Sequence, residues 1–211
     1  MRKTAGEMML WIHSYGPFTI PKKESWVIVG SGPSATRNAL ESIDSHKGIV
    51  SLNGVISAIP RTDVHLVSHF EDYFMASPYF DKAKTIFIAN PMHVGFRCLP
   101  VTAYQILDLP YYSANPMDIR FFEKDVSLES SVTRENTLYV ESNIATAAVH
   151  LLHRNGVEEF ETIGVDGGLG HSDAFPDVYY YGSVFKNSYE KGHAEFHSTI
   201  KKFGMKDKVY A

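Results

Sequence analysis

Trp26-Val27-Ile28-Val29-Gly30-Ser31-Gly32-Pro33-Ser34-Ala35 opens the ordered reading of this chain. Four apolar residues of strand type end at a glycine turn, and a helical pattern follows from Thr36 to Ile43. Pro33 suits a first helical position, where its missing N–H has no partner to lose and its φ is already helical. Gly30 and Gly32 allow a close approach that a Cβ would block. A strand, a glycine turn and a helix in this order present backbone N–H groups at the positive end of a helix, which is a site for phosphate. Gly30, Ser31, Gly32 and Ser34 are therefore candidate nucleotide-binding residues.

Working outward, Gly48–Asn53, Val64–Ser68 and Thr85–Ala89 each read as a short strand bounded by polar or glycine signals. Residues 100–137 are rich in Pro, Tyr, Ser and Asn and read as loop and short helix, with Thr137–Val140 a candidate strand. Ile144, Ala147, Ala148, Leu151 and Leu152 have helical spacing, so a helix is expected over 143–155, with Ser142 as N-cap and Gly156 as its stop. Phe160–Val165 reads as a strand that ends at Asp166-Gly167-Gly168. A last helix is expected over His193–Phe203 and a last strand over Lys208–Tyr210. Strands alternating with helices imply an α/β fold, a Rossmann-like and largely parallel sheet with helices on both faces. Residues 1–25 read as an N-terminal extension, 26–211 as one nucleotide-binding domain, and 169–192 as a small lid.

The 211 residues suffice for one such domain. A net charge of −4 speaks against a nucleic-acid partner held on a basic face. No apolar run reaches the ~20 residues that span a bilayer, and the N-terminal run at Met8–Ile12 is too short for a signal peptide. The single Cys98 excludes an internal disulfide framework and fits a reducing, cytoplasmic setting. Cys98 itself reads better as a buried spectator thiol than as a nucleophile. The oligomeric state stays open, a homo-oligomer included.

Ligands of open parallel sheets gather beyond the carboxyl ends of the strands. Those ends are Gly30-Ser31, Leu52-Asn53, Ser68-His69, Asn90-Pro91, Ser142-Asn143 and Asp166-Gly167. All are polar or glycine, which suits a nucleoside and its phosphate. Polar residues also follow strands simply because loops begin there. Gly30-x-Gly32-x-x-Ala35 matches a relaxed dinucleotide fingerprint, but Leu52-Asn53 stands where that fingerprint needs an acid for the ribose. An NAD enzyme is thereby disfavoured, and no Gly-Lys-Ser/Thr follows to make a Walker loop. Asp166 suits either a ribose or metal contact or a turn aspartate satisfying nearby N–H groups. No Asp-x-Asp pair is present to hold Mg²⁺ on a diphosphate, so the simpler expectation is a mechanism without metal or other cofactor. His193 and His197 lie one helical turn apart and lack a clear third zinc ligand. A histidine near its ordinary pKa can serve as a general base at neutral pH. Tyr179, Tyr180 and Tyr181 read better as packing in the lid than as phosphate donors.

Three stretches carry a resemblance. Val27-Ile-Val-Gly-Ser-Gly-Pro-Ser34 resembles the nucleotide loop of the bacterial lipooligosaccharide sialyltransferases. It also resembles the related Gly-x-Gly-Pro-Ser proteins, uncharacterised and pterin-diphosphokinase-like ones among them. Ser142-Asn-Ile-Ala-Thr-Ala-Ala-Val-His-Leu-Leu152, followed by Ile163-Gly-Val-Asp-Gly167, resembles their helix and Gly-Ile-Asp strand end. Tyr189-Glu-Lys-Gly-His193, opening a C-terminal helix, resembles the segment that bears their catalytic histidine.

The resemblance spans roughly residues 26–205 and implies a glycosyltransferase-like protein that uses a nucleotide sugar, CMP-sialic acid in that family, and a glycan acceptor. It implies Ser31 and Gly32 at the phosphate and ribose, and Asn53 on the nucleotide. Ser142 and Asn143 would touch the donor phosphate or sugar, and Gly164 and Asp166 would border the cytidine. His193 would take the proton of the attacking hydroxyl. An Asn that the family carries at its third strand end aligns with either Ser68 or Asn90. The chain departs from the family in the tyrosines that follow the Asp, where Gly168 and Asp173–Phe175 stand instead. The acceptor-binding region is unrecognisable. The rival readings are an ATP- and Mg²⁺-dependent pyrophosphokinase-like enzyme, with Asp166 and Asp173 as its carboxylates, and a non-catalytic nucleotide-binding protein.

Overall fold

The computed structural model describes residues 18–69, 72, 75–93, 118–125, 137–140, 143–167, 172–175 and 186–210, of which 69, 90–93, 118–125 and 186–189 by backbone alone. Eight strands form one sheet: β1 (Trp26–Val29), β2 (Gly48–Leu52), β3 (Thr62–His69), β4 (Ala83–His93), β5 (Asp118–Asp125), β6 (Thr137–Tyr139), β7 (Glu159–Ile163) and β8 (Lys206–Val209). Their order is β6-β5-β4-β3-β2-β1-β7-β8, and every neighbouring pair is parallel. The helices are α1 (Arg37–Glu41), α2 (Ile144–Arg154) and α3 (Lys186–Lys202). The fold is α/β and Rossmann-like, as expected.

The central strands are continuous apolar runs because both faces of the sheet are covered. On one face Trp26, Ile28, Val50, Leu52, Val64, Leu66 and Phe87 pack with α2 and with Phe196 and Ile200 of α3. On the other, Val27, Val29, Ile49 and Ile163 pack with Leu40 of α1, with Val55 and Ile59, and with Ala174 and Phe175. Burying one such side chain contributes about 1.5–3 kcal/mol, so these two layers carry the fold.

Several expectations change. β5 runs through the stretch read as loop, while the candidate strand at Thr137–Val140 is β6, beside it. β3 and β4 are longer than their apolar centres. Helix α1 begins only at Arg37, N-capped by Thr36, whose Oγ1 accepts from Ala39 N at 3.2 Å. Pro33 therefore lies in the turn and not at a first helical position. The N-cap of α2 is Asn143, not Ser142: its Oδ1 accepts from Ala145 N at 2.9 Å. The extension is not detached. Phe18 is buried against Phe87, and Asn155 at the end of α2 binds Ile20 N and Phe18 O through its side chain. Residues 172–175 of the expected lid belong to the core, and 186–192 belong to α3. The rest of 169–192, with Cys98, Ser142, Gly168 and Tyr179–Tyr181, lies outside the described residues.

Candidate functional site

β2 flanks β1 on one side and β7 on the other, so the chain reverses its direction of travel through the sheet between β1 and β7. A crevice at the carboxyl ends of these strands is where such sheets bind ligands. The glycine turn lies at the carboxyl end of β1. Gly30 N donates to Ile163 O at 2.8 Å and Gly32 N to Gly164 O at 2.9 Å, which ties the turn to the end of β7. The contact is too close for side chains: a Cβ on Gly30 would lie 2.4 Å from Gly164 O. Gly164 itself has φ +68°.

Ser34 completes the tie. Its N–H donates to Asp166 Oδ2 at 2.8 Å, its hydroxyl donates to Asp166 Oδ1, and its Oγ accepts from Gly164 N at 2.7 Å. Ala35 N donates to Gly32 O, and Thr36 N to Ser34 O. The expected cradle of free N–H groups is thus not formed. The N–H groups of Gly30, Gly32, Ser34, Ala35 and Thr36 are bonded inside the protein. Asp166 is a turn aspartate satisfying N–H and O–H donors, and its exposed carboxylate lies beside the turn.

Two helices meet beside the end of β7. Asn143 caps α2, and its side chain meets α3 at Gly192, where a Cβ would lie 3.2 Å from Asn143 Cβ. The next residue, His193, reaches back to the end of β7: a Cβ on Gly167 would lie 2.3 Å from His193 Cγ. His193 lies within α3, more than a turn past its start at Lys186, and does not open a helix as expected. Its pKa is held below 6.5, first by burial and next by His197, against the opposing pull of Asp166 and Asp207. The imidazole is therefore a neutral base at physiological pH.

The structure brings together Gly30, Ser31, Gly32, Ser34, Asn143, Gly164, Asp166 and His193. Asn53 and Ser68 form a neighbouring cluster at the ends of β2 and β3. Asn53 Oδ1 accepts from Ser68 N at 3.1 Å, and Asn53 holds φ 51° at the start of a 3-10 turn. Asn90 lies in β4, paired in register with Glu123. Gly192 was quoted only as part of the segment bearing His193, and Asp207 was not singled out from the sequence. The helical pattern around Gly192 carried a signal, since a glycine inside a helix marks a close contact. Asp207 carried none.

No family model and no curated protein matches this chain by sequence. Among the solved structures similar to it are two of one sialyltransferase. One is a point variant of the sialyltransferase CstII in complex with CMP, at 14% identity over 88% of this chain and 80% of that one, with a TM-score of 0.45. The other is a point variant of the alpha-2,3/8-sialyltransferase CstII, at 15% identity over 89% and 81%, with a TM-score of 0.43. At these values the chemistry has to come from the residues themselves.

Among the described residues no three His, Cys, Asp or Glu side chains are grouped to hold a metal ion. Among them, too, no helix is long and apolar enough to cross a membrane.

Proposed function

We propose that this protein is a glycosyltransferase-like enzyme that binds a nucleotide sugar, CMP-linked in the first instance, and transfers the sugar to an acceptor hydroxyl. The observation that carries this reading is the meeting of His193 with Asp166-Gly167, the glycine turn and the Asn143 cap at the β1/β7 crevice. The nucleoside lies over the ends of β1 to β3, within reach of Asn53 and Ser68. Its phosphate faces the amino end of α2, where the helix dipole favours an anion. It avoids the glycine turn, because the Asp166 carboxylate there would repel it.

His193 takes the proton of the acceptor hydroxyl as that oxygen attacks the anomeric carbon. The nucleoside monophosphate departs, its charge met by the helix end, and the step calls for no metal ion. A positioned general base contributes about 10²–10⁴-fold in rate.

Incubation with CMP-sugars and generic glycan acceptors tests the reading. His193→Ala should lower kcat by about 10²–10⁴-fold while leaving CMP affinity within about twofold. Asn53→Ala should weaken CMP binding by about fivefold, the value of one hydrogen bond. An unchanged rate in His193→Ala removes the base from the mechanism. A second reading, a nucleotide-binding protein without transfer chemistry, is favoured by the internally bonded N–H groups of the glycine turn. CMP binding with no turnover of any CMP-sugar would support it.

A further inference from the structure

His193 Nε2 and His197 Nε2 are 3.0 Å apart, with the two rings nearly perpendicular at 83°. Two imidazoles at this distance share one proton: one nitrogen must carry N–H and the other a lone pair. On the far side of His197, its Nδ1 lies 3.7 Å from Asp207 Oδ2 of β8. That is too long for a direct hydrogen bond but close enough for the carboxylate to favour a proton on Nδ1. The Nδ1 edge of His193 rests against Gly167 at the end of β7, and no described residue hydrogen-bonds it. Three elements thus meet in one line: the turn after β7, α3 and β8.

We propose that Asp207 and His197 are positioning residues that fix the tautomer of His193, so that its bare Nδ1, on the Gly167 side of the ring, is the basic atom. The proton assignment follows link by link. Asp207 holds a proton on His197 Nδ1, which leaves His197 Nε2 as an acceptor. His197 Nε2 accepts the N–H of His193 Nε2, which leaves a lone pair on His193 Nδ1. This rests on the assignment of His193 as the base. When Nδ1 takes the hydroxyl proton, the Nε2 proton of His193 passes to His197 Nε2. The positive charge then lies on His197 beside the Asp207 carboxylate, and no proton is lost or gained overall. Among the described residues, the charged groups facing the pair are Asp166 from the turn after β7 and Asp207 from β8. A histidine pair inside a helix without the carboxylate would have no such direction.

Nitrogen NMR on the whole protein, without substrate, reads this out independently of any transferase activity. At pH 8 the wild type should show His193 in the Nε2–H form and His197 in the Nδ1–H form. It should also show a scalar coupling between the two Nε2 nuclei across the hydrogen bond. Asp207→Ala should move His197 to the Nε2–H form and His193 to the Nδ1–H form, reversing the direction of the hydrogen bond. His197→Phe should leave CMP affinity unchanged and shift the titration midpoint of His193. His197 in the Nε2–H form in the wild type, or no coupling between the pair, overturns the relay even if CMP-sugars turn over. If CMP-sugars prove inert and the tautomers are as stated, the relay stands and the transferase reading falls. The wild-type measurement decides even if a variant does not fold.

Discussion

A Cβ on Gly30 would sit 2.4 Å from the Gly164 carbonyl oxygen, and one on Gly32 would sit 2.7 Å from Asp166 Oδ2. These glycines are needed because the protein approaches itself there. Gly30→Ala should therefore destabilise by about 1–3 kcal/mol, as other overpacking changes do, with or without nucleotide present. Urea unfolding measures this, and a loss seen only as weaker CMP binding would contradict it. Ser34→Ala should cost about 1–3 kcal/mol too, since it leaves Gly164 N–H buried without its acceptor and takes a donor from Asp166. The glycine pattern was legible in the sequence. Its cause was not, because a bare Cα does not name the neighbour that needs the space.

At the scale of elements, α2 and α3 meet where Asn143 packs against Gly192. Asn143→Ala should cost about 1 kcal/mol through loss of the cap, whereas Asn143→Asp should retain it. Equal thermal stability of the two variants would show that the side chain does not cap. Local signals found α2 to within a residue at each end, since its buried stripe and Gly156 at φ +74° are both short-range features. They failed at β5, where five of the eight residues in Asp-Ile-Arg-Phe-Phe-Glu-Lys-Asp are charged and obscure the strand pattern. Pairing with β4 in register from Thr85↔Asp118 to Asn90↔Glu123 makes it a strand regardless. They also started α3 too late, at His193, because Gly192 interrupts the helical pattern although it sits inside the helix against Asn143.

At the scale of the whole molecule, two buried histidines among the described residues make the fold lose stability in acid. His65 is held at about 3 by burial, against the opposing bond from Ser51. His150 is held at about 3 by burial, then by Arg154 and His153, while its Nδ1 accepts from Tyr139 N at 2.9 Å. Both values lie below the unfolded value near 6.5, so between about 6.5 and 3 the unfolded chain binds more protons. Stability is unaffected above that window and falls as the pH drops through it. The fall is at most about 1.4 kcal/mol per pH unit for each histidine. Urea unfolding at pH 7.5, 6 and 5 should show it, and His65→Gln should flatten the slope by roughly half. A stability unchanged from pH 7.5 to 5 would refute the assignment.

At the amino end of the sheet, away from the crevice, fully buried Asp63 gathers Ile49 N, Arg61 and Lys84 and holds the strands from that side. The sequence by itself determined the alternation of strands and helices, the glycine turn after β1 and the run of α2. Each of these is written in side chains a few residues apart. Only the tertiary structure decided that β7 lies beside β1. That neighbourhood brings Asp166 to Ser34 across 132 residues, closes the glycine turn on itself, and brings β8 with Asp207 to His197. Strand order follows from how whole faces are buried together, and no local window of sequence contains that information.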